Sequence, residues 1–200
     1  MTPPSNPAFE RNARTFANEL SETLTGSISP VHLRCEFRRT SSKLEALLEF
    51  APSNEDPDLR YVQLGNGSWI NIVQRLVPNS SDPRIVSTAK YSYSYTLGGD
   101  NPDNEWLVRY DYELGKKNYP ESHVHKNAEN RLYNEFIEVT RDKHKPLADV
   151  HFPTKRISLE EFIDHLLVEF EIPVLHGKSK SEVRKMLAEQ QKRFEEKRTR

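Results

Sequence analysis

Two alternating runs joined by a turn constrain this chain more than any other feature. Residues 85–97, IVSTAKYSYSYTL, put Tyr91, Tyr93 and Tyr95 on one face of an extended segment, and residues 105–114, EWLVRYDYEL, alternate in the same way. The GGDNPDN between them is made of turn-favouring residues. Residues 85–114 therefore predict a long antiparallel hairpin, and a sheet organises the fold. The tyrosine row is expected to be a cross-strand packing ladder rather than a base-stacking platform, because pleated surfaces favour aromatic side chains for packing alone.

Other segments extend that sheet. In residues 31–38, Val31, Leu33, Cys35 and Phe37 face one way and His32, Arg34, Glu36 and Arg38 the other. A polar turn at 40–42 leads into KLEALLEF as the hairpin partner, and residues 61–77 hold a G-N-G turn followed by the strand SWINIVQRLV. APSNEDPD and PNSSDP read as loops, and a short strand around DVHF ends at Pro153.

Helices lie toward the two ends of the chain. From Phe9, the apolar positions Phe9, Ala13, Phe16, Ala17, Leu20 and Leu24 form one helical stripe, stopped by Gly26. In ISLEEFIDHLLVEF the stripe is Leu159, Phe162, Ile163, Leu166, Leu167 and Phe170; Ser158 with Glu161 fits a capping box, and Ile157 with Phe162 a hydrophobic staple. Ser179 and Glu182 form a second box before a last helix with the thinner stripe Val183, Met186, Leu187 and Phe194. The expected fold is α+β, an antiparallel sheet with helices packed on one face and a basic C-terminal helix. A parallel sheet would need regular helical crossovers, which the order of elements lacks. Residues 1–7, with three prolines, are expected to be a disordered tail, 8–176 a single domain and 177–200 the basic helix.

Composition narrows the function classes. No apolar run approaches the roughly 20 residues that span a bilayer, and MTPPSNPAFE has neither the basic nor the apolar region of a secretory signal. The expectation is a cytoplasmic protein with no membrane partner. The one cysteine, Cys35, excludes an internal disulfide and a thiolate zinc cage and reads as a small buried strand residue. The net charge of −1 conceals an asymmetry: residues 178–200 carry nine Lys/Arg against four Glu, so that segment is +5 and the rest −6. Such an arm suits a phosphate backbone or an acidic protein face.

Chemistry-bearing residues cluster in R-Y-D-Y-E-x-G-K at 109–116, H-V-H at 123–125 and H-F-P-T-K-R at 151–156. If SHVHK is extended, His123 and His125 project to one face and His151 can join them from a neighbouring strand. Two chemistries suit three imidazoles. They can bind zinc or another divalent ion with an open position for water, with Glu121 or Asp149 as an extra oxygen ligand. Alternatively, a metal-free ribonuclease uses His123, His125 or His151 as acid and base, with Arg109, Lys155 and Arg156 clamping the phosphate. Strand histidines also serve simply as hydrogen-bonded structural residues. His32, His144, His165 and His176 look unremarkable, and His165 is expected to be solvated. No glycine-rich phosphate loop, G-x-S-x-G elbow or HExxH helix is present in the sequence.

These residues carry a resemblance. RYDYELGKK followed by two histidines and then by a basic residue entering a terminal helix resembles TumE-type toxins of bacterial toxin-antitoxin modules, whose pattern is roughly R-Y-D-N-E-x-G-K followed by H-x-H. Arg109, Tyr110, Asp111, Glu113, Gly115, Lys116, His123 and His125 match that pattern. HFPTKRISLEEFIDHLLVEF is similar to the ending of uncharacterised bacterial proteins that pair H-x-H with H-x-P-T-x-R-x-S-L-E-E-F. The likeness spans about residues 86–171. Tyr112 stands where the pattern has Asn, the histidines come later, and about 20 residues are inserted before the last strand.

The resemblance implies a toxin-like or defence-related bacterial protein that binds or cleaves RNA and has a cognate antitoxin protein as partner. Tyr110, His123, His125 and His151 would be its chemical group and Arg109, Lys116, Lys155 and Arg156 its phosphate contacts, with no metal or cofactor. Two other readings stand beside it: a non-enzymatic protein-interaction module with structural histidines, and a metal-dependent hydrolase with the histidines as ligands.

Overall fold

Turn chemistry and alternation lay the chain out as one antiparallel sheet. The computed structural model describes residues 5–40, 43–51, 60–97, 106–126, 151–175 and 177–198. The APSNEDPD loop, the GGDNPDN turn, Asp149, His144 and His176 lie wholly or partly outside those residues, as does part of the turn at 40–42. The side chain of Phe194 is likewise outside them. Among the described residues the strands are β1 (Leu33–Arg39), β2 (Leu44–Phe50), β3 (Val62–Gln63), β4 (Trp69–Pro78), β5 (Val86–Thr96), β6 (Trp106–Glu113), β7 (Ser122–Lys126) and β8 (Phe152–Pro153). The helices are α1 (Pro7–Thr25), α2 (Leu159–Glu169) and α3 (Lys180–Arg198). None of the described helices is long and apolar enough to cross a membrane.

The sheet runs β1-β2-β4-β5-β6-β7-β8, every neighbour antiparallel. Both β2 and β3 lie on the same edge of β4: Ala46–Glu49 pair with Leu76–Val73, and Val62–Gln63 with Ile70–Trp69. The G-N-G turn closes the β3–β4 hairpin, and Gly67 at φ 83° adopts the left-handed backbone that a side chain would strain.

One face of this sheet is apolar and carries the helices. Its rows are Leu33, Cys35 and Phe37 on β1, Ala46, Leu48 and Phe50 on β2, Ile70 and Ile72 on β4, the three tyrosines on β5, and Val108, Tyr110 and Tyr112 on β6. The tyrosine ladder is a packing device, as expected: Tyr91 stacks on Tyr93 with centroids 4.4 Å apart and on Tyr112 at 5.5 Å. Against this face α1 lays Phe9 edge-on to Phe37, and α2 lays Phe162 against Tyr93 and Tyr110. The α+β class and the single-faced helical layer thus follow the hydrophobic pattern.

The first helix begins at Pro7, two residues before its apolar stripe. A proline at the first helical position lacks only an N–H that would have no intrahelical partner, and the Asn6 side chain accepts from Phe9 N–H at 3.0 Å. At the other end Gly26 permits close approach of α3, since a Cβ there would lie 3.1 Å from Met186 Sδ. α3 packs on α2 and the end of α1 through Val183 and Leu187, with Arg184 paired to Asp164 at 2.6 Å. The basic helix therefore belongs to the helical layer.

The expected capping box at α2 is complete: Ser158 Oγ accepts from Glu161 N–H at 3.2 Å, and Glu161 Oε2 accepts from Ser158 N–H at 2.9 Å. Ser158→Ala is expected to cost about 1 kcal/mol, read as a lower urea midpoint with an unchanged slope.

Glu160, one turn-position on, is buried beside a cleft of about 180 Å³ between α1, α2 and α3. That burial, with Glu161 and Glu19 nearby, raises its pKa against the Ser158 hydrogen bond. The folded state thus holds this proton to higher pH than the unfolded chain does. Its stability contribution is complete below the unfolded carboxyl pKa of about 4.3 and is lost as pH rises through the folded value. Glu160→Gln should therefore raise the melting temperature at pH 8 and leave it nearly unchanged at pH 4; a gain of equal size at both would contradict a Glu160 pKa raised by burial.

Candidate functional site

Cross-strand register brings polar residues together on the face that the helices do not cover. Asp111 pairs with His123 and Arg109 with His125, while on the other side of β6 Ser92 pairs with Asp111 and Ser94 with Arg109. Pro153 pairs with His123, so His151, two residues earlier in the chain, falls on the same face. The three imidazoles meet: ring centroids are 4.9 Å apart for His123–His125, 4.6 Å for His123–His151 and 4.5 Å for His125–His151. One nitrogen from each ring lies within 4.8 Å of the others. His123 and His125 are 2% and 4% exposed, and His151 is half-buried.

Each ring is positioned by named neighbours. His123 Nδ1 lies 2.8 Å from the Pro120 carbonyl, which can only accept, so this nitrogen carries the proton and Nε2 the lone pair of the neutral ring. Asp111 Oδ2 lies 3.4 Å from His125 Nε2 and 3.9 Å from His123 Nε2. Tyr119 stacks on His151 at 4.5 Å with 12° between planes and meets His123 edge-on. Trp106 sits edge-on to His125 at 5.9 Å and beneath the Arg109 guanidinium at 4.8 Å. A bulge puts Trp106 there. Register shifts so that Tyr95 pairs with Val108 but Thr96 with Trp106, which skips Leu107 and turns Trp106 onto the face of Arg109 and Asp111.

Electrostatics fix the charge states around the rings. Burial pushes the Asp111 carboxyl up, but hydrogen bonds from His125 and Ser92 and the Arg109 charge outweigh it and bring the group down to about 2. Asp111 is therefore an anion at neutral pH, held by Arg109 Nε at 2.9 Å. Burial lowers the His123 pKa, opposed by the Pro120 carbonyl and Asp111, so the ring favours its neutral form.

The expected site residues divide between the two faces. His123, His125, His151 and Arg109 gather, and Lys116 stands at the rim, paired to Glu113 at 3.3 Å and over the Tyr119 ring at 5.2 Å. Tyr110 does not join them. It pairs with Val124, shares that residue's helix-facing side, and packs edge-on to Phe162 and His165. Lys155 and Arg156 also belong to the helical side: Lys155 pairs with Glu161 at 2.5 Å, and Arg156 lies 4.6 Å over the Tyr112 ring. The chain changes sides here, because Thr154 N–H still bonds Ser122 O on β7 while Ile157 N–H bonds the Tyr91 hydroxyl across the core.

Glu121, weighed as an oxygen ligand, instead accepts from Gly115 N–H at 2.9 Å in the β6–β7 connection. His165 is half-buried against Tyr110 and Phe170 rather than solvated, and burial lowers its pKa. Cys35 is half-buried on the helix-facing side of β1, and burial raises its thiol pKa against the effect of Arg14, which keeps it a protonated packing residue. α3 packs on α2 in the helical layer, on the opposite side of the sheet from the histidines.

The sequence places Asp111 in the R-Y-D-Y-E-x-G-K cluster without giving it a role in the site, and it does not point to Trp106 or Tyr119 at all. Period-2 alternation in RYDYE separates Asp111 from the tyrosines, and placing that strand beside H-V-H is the signal that finds it. The roles of Trp106 and Tyr119 depend on a bulge and on a loop conformation. Chemically the centre offers three nitrogen donors, a fixed anion and a guanidinium, with two of the rings buried and His151, Asp111 and Arg109 partly exposed. No protein-family model, no curated protein and no solved structure matches the chain.

Proposed function

We propose that this is a toxin-like or defence-related enzyme of the cytoplasm that binds and cleaves RNA at the histidine centre, with an antitoxin protein as its partner. The observation that supports the reading most is the meeting of His123, His125 and His151 with the anionic Asp111 and the Arg109 guanidinium on the helix-free face. Phosphodiester cleavage needs an agent that activates the attacking oxygen, one that eases departure of the leaving oxygen, and cations for charge on the phosphate. The histidine centre suits the first two needs. Arg109 and the exposed Lys116 and Lys117 suit the third. RNA as the substrate rests on the resemblance of RYDYELGKK and H-V-H to toxin sequences.

The test is incubation of the purified full chain with end-labelled single-stranded RNA and with DNA of the same sequence. Discrete RNA fragments are expected. If a pool of varied RNA sequences stays intact, the protein does not cleave RNA and the reading fails. Because α3 lies away from the centre, neutralising Lys185 and Lys192 on it is expected to leave the cleavage rate within about twofold at physiological salt, whereas Arg109→Ala lowers affinity and steepens no salt dependence but flattens it by about one phosphate contact.

A further inference from the structure

We infer that His123, His125 and His151 hold a divalent first-row transition-metal ion of the zinc class, which is the cofactor of the centre; this rests on reading that centre as the protein's reacting group. The distances allow it. Three atoms all within 4.8 Å of one another share a point no more than about 2.8 Å from each. Zinc–imidazole bonds are about 2.0–2.1 Å, so an inward shift of roughly 0.7 Å per ring closes the site.

The orientation of the donors points the same way. With the Nδ1 proton of His123 on the Pro120 carbonyl, its Nε2 lone pair faces the Asp111 carboxylate oxygen at 3.9 Å. Two electron-pair donors thus face each other with no proton between them and beyond hydrogen-bond reach, and a cation on the His123 lone pair relieves their repulsion while Asp111 stays outside the three-histidine ligand set. Metal-bound histidines usually rest their second ring nitrogen on a backbone carbonyl or a carboxylate. His123 has the Pro120 carbonyl in that position, and His125 has Asp111 beside its Nε2.

Aromatic rings complete the scaffold. Tyr119 backs His151 and Trp106 backs His125, so the imidazoles are ordered by packing on the described residues. Three imidazoles suit zinc, cobalt, nickel or copper, whereas magnesium and calcium favour all-oxygen shells. Three protein ligands also leave one tetrahedral corner for water or substrate. A ring bound to metal no longer exchanges protons, so the ion replaces the imidazole acid–base pair that the sequence suggests.

The test uses the full chain without a histidine tag. Zn²⁺ is titrated against a chromophoric chelator, Co²⁺ binding is followed by its visible spectrum, and Mg²⁺ serves as the control. About one equivalent of Zn²⁺ and a tetrahedral, thiolate-free Co²⁺ spectrum are expected. Asp111→Asn should weaken Zn²⁺ binding about 10–100-fold, His123→Ala and His151→Ala at least as much, and His165→Ala not at all. Unchanged affinity in His123→Ala or His151→Ala overturns the inference, as does an octahedral Co²⁺ spectrum. Circular dichroism checks each variant; if the substitutions unfold the chain, the wild-type stoichiometry and Co²⁺ spectrum decide alone.

The two readings fail separately. RNA cleavage by metal-free protein, undiminished by chelator, overturns the metal and leaves the RNA reading standing. One bound equivalent with no cleavage of any RNA does the reverse.

Discussion

Phe162→Ala is expected to remove about 3–5 kcal/mol of folding stability. The side chain is fully buried, sits in the middle of the apolar stripe of α2, and touches Tyr93 at 5.6 Å and Tyr110 at 6.0 Å between centroids. Those tyrosines belong to different strands, so the ring joins the helix to both halves of the β5–β6 hairpin. Truncation loses the transfer energy of the ring and leaves a cavity that rigid strand aromatics cannot fill by relaxation. For a domain whose total stability is about 5–15 kcal/mol, that is a large share. Urea unfolding should show a much lower midpoint at an unchanged slope. A loss below about 1 kcal/mol would mean that α2 is not anchored on the tyrosine ladder.

His123→Ala combined with His125→Ala should lower the RNA-cleavage rate by about 100-fold or more, the usual scale for removing a centre's reacting groups. Tyr110→Phe provides the contrast. Tyr110 is the chain neighbour of Asp111 in the same strand, yet its ring is on the opposite side of the sheet, against Phe162 and His165. Its hydroxyl therefore has no route to the substrate, and cleavage should stay within about twofold of wild type. If the order reverses, with Tyr110→Phe inactive and the double histidine variant active, the reacting groups lie on the helical side.

That contrast also marks what the sequence makes legible. The hairpin at 85–114, the α2 capping box and the single-sided helical layer follow from local rules, because alternation, caps and stripes are encoded within one segment. The alternation of H-V-H likewise shows that His123 and His125 share a face. Which face they share is set by the pairing Asp111↔His123 and Tyr110↔Val124, a relation between segments that neither segment states alone. Sequence alone therefore places Tyr110 with the histidines, and Lys155 and Arg156 as well, because the crossing of the chain at Thr154 to Ile157 leaves no local signature. Trp106 reaches His125 only through the one-residue bulge at Leu107, which alternation cannot anticipate.

The central claim is that His123, His125 and His151 form one ordered group on the helix-free face. Long-range proton–nitrogen NMR of the imidazoles in the metal-free full chain tests it most directly. The expected spectrum shows His123 protonated on Nδ1 at neutral pH, with ring-to-ring nuclear Overhauser effects joining all three residues and none to His32. Rapidly averaging tautomers at His123, with no such effects among the three rings, would contradict it.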